Sequence, residues 1–123
     1  MGSELGRRGV DTSPPLWSAR ALGLAQTEDV VRAIHASYAA AGATHHRTNT
    51  FRARARTAGP GWEKLARRAV RLAREGARGG RVLGSVGPLE DCYRPDLAPP
   101  DDVARREHEE VVAVLVGEGV DLL

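Results

Sequence analysis

The sequence is poor in the residues that usually anchor a core or staple a chain. Aromatics make up 4% of it, so any interior leans on alanine, valine and leucine. The single cysteine, Cys92, excludes an internal disulfide and fits a reducing compartment. No apolar run is long enough to cross a bilayer. The opening segment, MGSELGRRGVD, lacks the apolar centre of a signal peptide. A cytoplasmic protein is expected. Internal repeats and low-complexity tracts are also absent.

What is present describes a soluble globular chain. Its 123 residues allow one domain with a modest core, and 41% hydrophobic against 28% charged residues is an ordinary balance for such a domain. The net charge of +2 conceals an asymmetry. From Arg47 to Arg81 there are 11 Arg or Lys residues against only Glu63 and Glu75, a net +9. From Glu90 to Asp121 there are 10 acidic residues against 3 arginines, a net −7. A basic middle and an acidic tail can neutralise one another when packed side by side. That weakens an argument for nucleic acid drawn from the basic run alone, and the interleaved aromatics of such a surface are lacking.

Periodicity and turn residues divide the chain into alternating elements. Short helical turns are expected around Glu4–Arg8 and Leu16–Leu22. A helix near 27–42 has Thr27 as a candidate N-cap, Val30, Ile34, Tyr38 and Ala41 as its buried face, and Gly42 as a left-handed stop. A strand near 44–50 follows. A second helix near 61–77 carries an apolar stripe through Trp62, Leu65, Ala66, Ala69, Leu72 and Ala73, with Arg67, Arg71, Arg74 and Arg78 opposite. A strand near 81–86 closes at Gly87-Pro88. A third helix near 100–118 has Asp101 and Asp102 in its first turn and Val111 and Leu115 on its core face. A last strand begins near 120–123. Strands separated by helices imply parallel βαβ units. Two strands and a stub make only a thin sheet with bare edges, so self-association through those edges is expected.

The stretch AGATHHRTNTF raises a difficulty, because the strand positions hold Thr44, His45, His46 and Arg47. Burying such groups without partners costs several kcal/mol each, on the order of 2–7. Adjacent strand residues face opposite sides, so His45 and His46 are a poor metal pair. His35 and His108 read as ordinary, partly exposed histidines, and Cys92 as an inert loop thiol. GSVGP reads as a strand end followed by a turn, too short for a phosphate loop.

Four stretches together, GSELGRRGVD, PLWSARAL, TNTF and GSVGPLEDCYRPDLAPP, resemble the homocysteine S-methyltransferase family. The last runs for 17 consecutive residues. The resemblance implies an α/β fold, part of a (β/α)8 TIM barrel, with residues 1–123 as a single incomplete homocysteine-binding domain; a full barrel needs roughly 250 residues. It implies transfer of a methyl group from a donor such as S-methylmethionine to the thiol of homocysteine, giving methionine. It also implies a zinc cofactor, held in the family by three cysteines from later strands that this chain does not carry. The family's substrate-binding Asp in an Asp-Gly-Gly segment and its Glu on the fourth strand are absent as well. The matching residues form a pocket wall: Trp17 and Ser18 after the first strand, Thr48 and Phe51 at the end of the second, Ser85 and Gly87 at the end of the third. No catalytic residue and no metal ligand is assigned. The expected state is a truncated piece, inactive alone. Two other readings remain: a non-catalytic module completed by a partner chain, and a small basic nucleic-acid-binding protein.

Overall fold

A computed structural model describes residues 1–123. The chain runs through helix α1 (Gly2–Arg7), two short 3-10 turns (Trp17–Leu22 and Ala25–Thr27) and helix α2 (Glu28–Ala40). Strand β1 (His45–Arg47), helix α3 (Ala55–Ala58), helix α4 (Trp62–Gly76), strand β2 (Arg81–Leu83) and helix α5 (Asp101–Gly117) complete it, with a third 3-10 turn at Pro95–Leu97 before α5. The two strands pair in parallel, His46 opposite Val82. Leu122 adds a single parallel bridge to Leu83.

The strands are shorter than expected from the sequence, and hydrogen bonding gives the reason. Past Arg47, the Thr48 N–H still reaches the Leu83 carbonyl at 2.9 Å. Beyond that point threonine hydroxyls, not backbone, meet the neighbouring strand, so β1 ends at 47 rather than 50. β2 likewise ends at 83 rather than 86, because the Ser85 N–H turns to those hydroxyls. The expected terminal strand is reduced to its one bridge.

The three long helices lie close to their predicted positions. In α2 the buried face is Val31, Ile34 and His35. Tyr38 is 47% exposed and Ala41 is exposed, so the expected stripe is rotated. Gly42 does adopt the left-handed stop, at φ 94. Thr27 sits at the N-cap position but does not cap α2. Its hydroxyl donates instead to backbone oxygen in the preceding 3-10 turns, within reach of both Ala21 and Leu24.

The scarcity of aromatics shapes the packing. Helix α4 presents Ala66, Ala69, Ala73 and Gly76 to its neighbours, all buried. A Cβ placed on Gly76 would lie 2.5 Å from the His35 Cβ and 2.6 Å from the Arg32 carbonyl. Helices α2 and α4 thus approach closely through small residues, and Leu5, Leu22, Val31, Ile34, Leu72, Val82 and Leu115 fill the remaining core.

The charge asymmetry resolves by ion pairing. Arg56 pairs with Glu90 and Glu107, Arg67 with Glu118 and Arg74 with Asp121. Each joins the basic middle to the acidic tail. On the other flank of α4, Arg71 pairs with Glu28 and Glu75, and Arg32 with Glu75. These are largely surface pairs, so they direct packing more than they stabilise it.

Candidate functional site

A cavity of about 850 Å³ opens at the carboxyl ends of the two strands. Ligands of parallel α/β folds bind at that end. Its wall includes Trp17 and Ser18 from the first 3-10 turn, Thr48, Asn49 and Phe51 after β1, and Ser85 after β2. A second cleft of about 410 Å³ lies at the opposite strand ends, beside Thr44, His45, Arg78 and Arg81.

The Thr-Asn-Thr segment is built by side-chain hydrogen bonding. The Thr50 hydroxyl donates to the Ser85 carbonyl at 2.7 Å. The Ser85 N–H is shared between the Thr48 and Thr50 hydroxyls, 3.1 Å from each. The two hydroxyls are 2.8 Å apart. Thr50 has already committed its proton to Ser85, so Thr48 is the donor of that pair. Thr48 therefore faces the cavity with no proton left to offer. The Asn49 amide donates to the Ser18 carbonyl at 2.9 Å. The Asn49 Oδ1 is buried and has no partner.

The alternating arginines after Phe51 stitch the two strand-end loops together. Arg54 is 4% exposed and donates to the Gly87 carbonyl at 2.8 Å and the Phe51 carbonyl at 2.7 Å. Burial, reinforced by the charge of Arg52, holds its guanidinium down to about 10. Arg56 is satisfied by Glu90 and Glu107. Arg52 is 9% exposed, lines the cavity, and donates to the Glu90 carbonyl at 2.9 Å. Its guanidinium carbon lies 5.8 Å from the Trp17 ring centre and 5.4 Å from that of Phe51. Trp17 itself holds a left-handed backbone, φ 51, a conformation that costs a bulky residue about 1–3 kcal/mol.

Two histidines border the inner end of the cavity. His46 is 2% exposed, with its Nε2 3.1 Å from the Ala43 carbonyl, and its ring meets that of His35 edge-on at 5.7 Å. His35 is buried too, contrary to the expected partial exposure, and its Nε2 has no partner. Burial first, then the charge of His46 and the chain's amino terminus, push His35 down to about 4. His45 is exposed on the other side of the strand. The polar strand is therefore tolerated because only one of its three residues is buried, and that one has a hydrogen bond.

A model of the homocysteine S-methyltransferase family matches residues 1–123, the full length of the sequence. The chain belongs to the homocysteine S-methyltransferase family. Its structure is similar to that of the homocysteine methyltransferase MmuM from Escherichia coli in its oxidized form, with a TM-score of 0.84 and 30% sequence identity. That similarity covers 99% of this chain and 49% of the other, so the chain spans about half the length of that enzyme. No curated protein matches the sequence.

Within this family member, Trp17, Ser18, Thr48, Phe51 and Ser85 all border one cavity. Gly87 does not line it. A Cβ there would lie 2.8 Å from both the ring and the carbonyl of Phe51, so Gly87 permits the close approach that sets Phe51 in the wall. Cys92, exposed, lies on the rim. Reading the sequence missed Arg52, Asn49 and the His35–His46 pair. The arginines carried a signal in their alternation, Arg52, Arg54 and Arg56 standing at every second position. The resemblance implies zinc, which needs a converging set of protein ligands. No three His, Cys, Asp or Glu side chains converge as a metal site. These residues do not fit zinc. No helix is long and apolar enough to cross a membrane.

Proposed function

We propose that the cavity at the strand ends binds homocysteine as the acceptor of a methyl group, with S-methylmethionine as a representative donor and methionine as product. The observation that carries this reading is the convergence of Trp17, Ser18, Thr48, Phe51 and Ser85 on one cavity in a member of this family. In this reading Trp17 and Phe51 supply apolar wall for the thiol-bearing chain, and Ser18 and Ser85 supply polar contacts. The Thr48 hydroxyl holds the end of β2 in place. Residues 1–123 act as one incomplete barrel domain: a closed barrel has eight strands, and this sheet has two and a bridge. The location proposed is the cytoplasm, where the exposed Cys92 thiol stays reduced.

Binding and turnover separate in this proposal. Methyl transfer needs a thiolate, and an alkyl thiol is mostly protonated at neutral pH unless a metal or positive charge lowers its pKa. The chain brings no metal ligand set, so it holds the acceptor without activating it. The test is calorimetric titration with homocysteine, alongside methionine formation from homocysteine and S-methylmethionine with added zinc. Saturable binding without methionine above the no-protein control is the expected result. Absence of homocysteine binding would remove the reading, and turnover would remove the inactive state.

A second reading is an interaction module. The outer edge of β1 has no strand beside it, and His45, Arg47 and Arg81 leave one face of the sheet exposed. Such an edge favours pairing with another chain or a second copy. Light scattering across a concentration series tests it, and a monodisperse monomer at every concentration would exclude self-association.

A further inference from the structure

Of the alternating arginines after β1, Arg52 is the one that lines the cavity and has neither a carboxylate nor more than one carbonyl. Arg56 has two carboxylates. Arg54 has two carbonyls, although its Nε is also buried without a partner, and it does not line the cavity. Arg52 has one, the Glu90 carbonyl, and its Nε is buried without a partner. It takes part in none of the chain's salt bridges, though it is more than nine-tenths buried. A buried cation without a counter-ion is costly, and here a second buried guanidinium, Arg54, adds to the local positive charge. The rings of Trp17 and Phe51, each within about 6 Å of its guanidinium carbon, offset part of that cost. All three residues border the cavity at the strand ends. Arg47, also on that wall, is exposed, so water already satisfies its charge.

A guanidinium beside two aromatic rings and a cavity, with an Nη2 that makes no hydrogen bond within the chain, is a receptor for a planar anion, since the Nη1–Nη2 fork matches the two oxygens of a carboxylate. We propose that Arg52 binds the carboxylate of the amino-acid substrate and thereby selects an amino-acid thiol over a simple amino thiol. The inference rests on the reading of the cavity as the homocysteine site, and names the group that recognises the acid end. Trp17 and Phe51 act as positioning residues for Arg52.

The test compares three probes by calorimetric titration of the whole chain: homocysteine, 3-aminopropane-1-thiol, which lacks the carboxylate, and 2-aminobutyrate, which lacks the thiol. Wild type is expected to bind homocysteine at least about tenfold more tightly than 3-aminopropane-1-thiol, the size of a charge-assisted hydrogen-bonded pair. Arg52→Gln should bind the two alike, and Arg52→Lys should recover part of the preference, with circular dichroism confirming that both variants fold. Equal affinities of wild type for the two thiols would overturn the assignment while leaving the thiol site standing, and this needs no variant. Arg52-dependent binding of 2-aminobutyrate as tight as that of homocysteine would keep the carboxylate receptor and remove the thiol reading. No binding by any probe would overturn both.

Discussion

Acidification from about pH 7 to about pH 5 is expected to weaken the fold through His35. The imidazole is 4% exposed, its Nε2 has no partner, and the His46 ring lies against it at 5.7 Å. Burial, then the charge of His46 and the amino terminus, hold it at about 4, against 6.5 for an ordinary histidine. Between those values the unfolded chain takes up a proton that the folded chain refuses. Stability is therefore lost as pH falls below 6.5, and the loss stops near 4, where the folded protein also accepts the proton. Each pH unit in that window is worth about 1.4 kcal/mol, so the loss at pH 5 is about 2 kcal/mol. The paired carboxylates act in a different range. Glu28, Glu75, Glu107 and Asp121 are all held below their ordinary values of 4.5 and 3.8. Their contribution is present above those values and is lost only as pH falls through the lowered ones. The interval from about pH 7 to about pH 5 therefore lies above the range in which those carboxylates act. The assay is the urea midpoint, followed by far-ultraviolet circular dichroism, for wild type and His35→Leu. Wild type should lose stability across the interval. The variant, with no titratable group at position 35, should change by less than about 0.5 kcal/mol. Parallel pH dependence in the two proteins would refute the reasoning, because the titrating group would then lie elsewhere.

Two further outcomes follow from the strand-end loops. Arg54→Ala should destabilise the fold by about 3 kcal/mol, because it strands the buried Gly87 and Phe51 carbonyls, while Arg47→Ala, at an exposed position, should stay within about 0.5 kcal/mol; urea unfolding measures both. Gly87→Ala should cost about 1–3 kcal/mol, since the new methyl would lie 2.8 Å from the Phe51 carbonyl, and homocysteine affinity should fall with it as Phe51 is displaced from the wall.

Much of this protein was legible in its sequence because helix signals are local. Apolar spacing in α4, acidic residues opening α5 and the left-handed Gly42 closing α2 each act within a turn or two of chain, so the long helices fell within two residues of their expected ends. The resemblance carried by TNTF and GSVGPLEDCYRPDLAPP likewise survived comparison with the family over residues 1–123. Strand ends were not legible, because a strand lasts only as long as its partner does. Thr48 and Thr50 read as strand residues until their hydroxyls are seen replacing backbone contacts with Ser85. Burial of single polar side chains escaped for the same reason. His35 becomes buried only where Gly76 brings α4 against α2, 41 residues further along the chain. Arg52, Arg54 and Arg56 share a composition and a spacing, yet end as an unpaired buried cation, a carbonyl clamp and a surface ion pair. The chain by itself determined its helices, its charge asymmetry and its family. Which charge met an acid, which met a carbonyl and which was left facing a cavity depended on long-range contacts that only tertiary packing supplies.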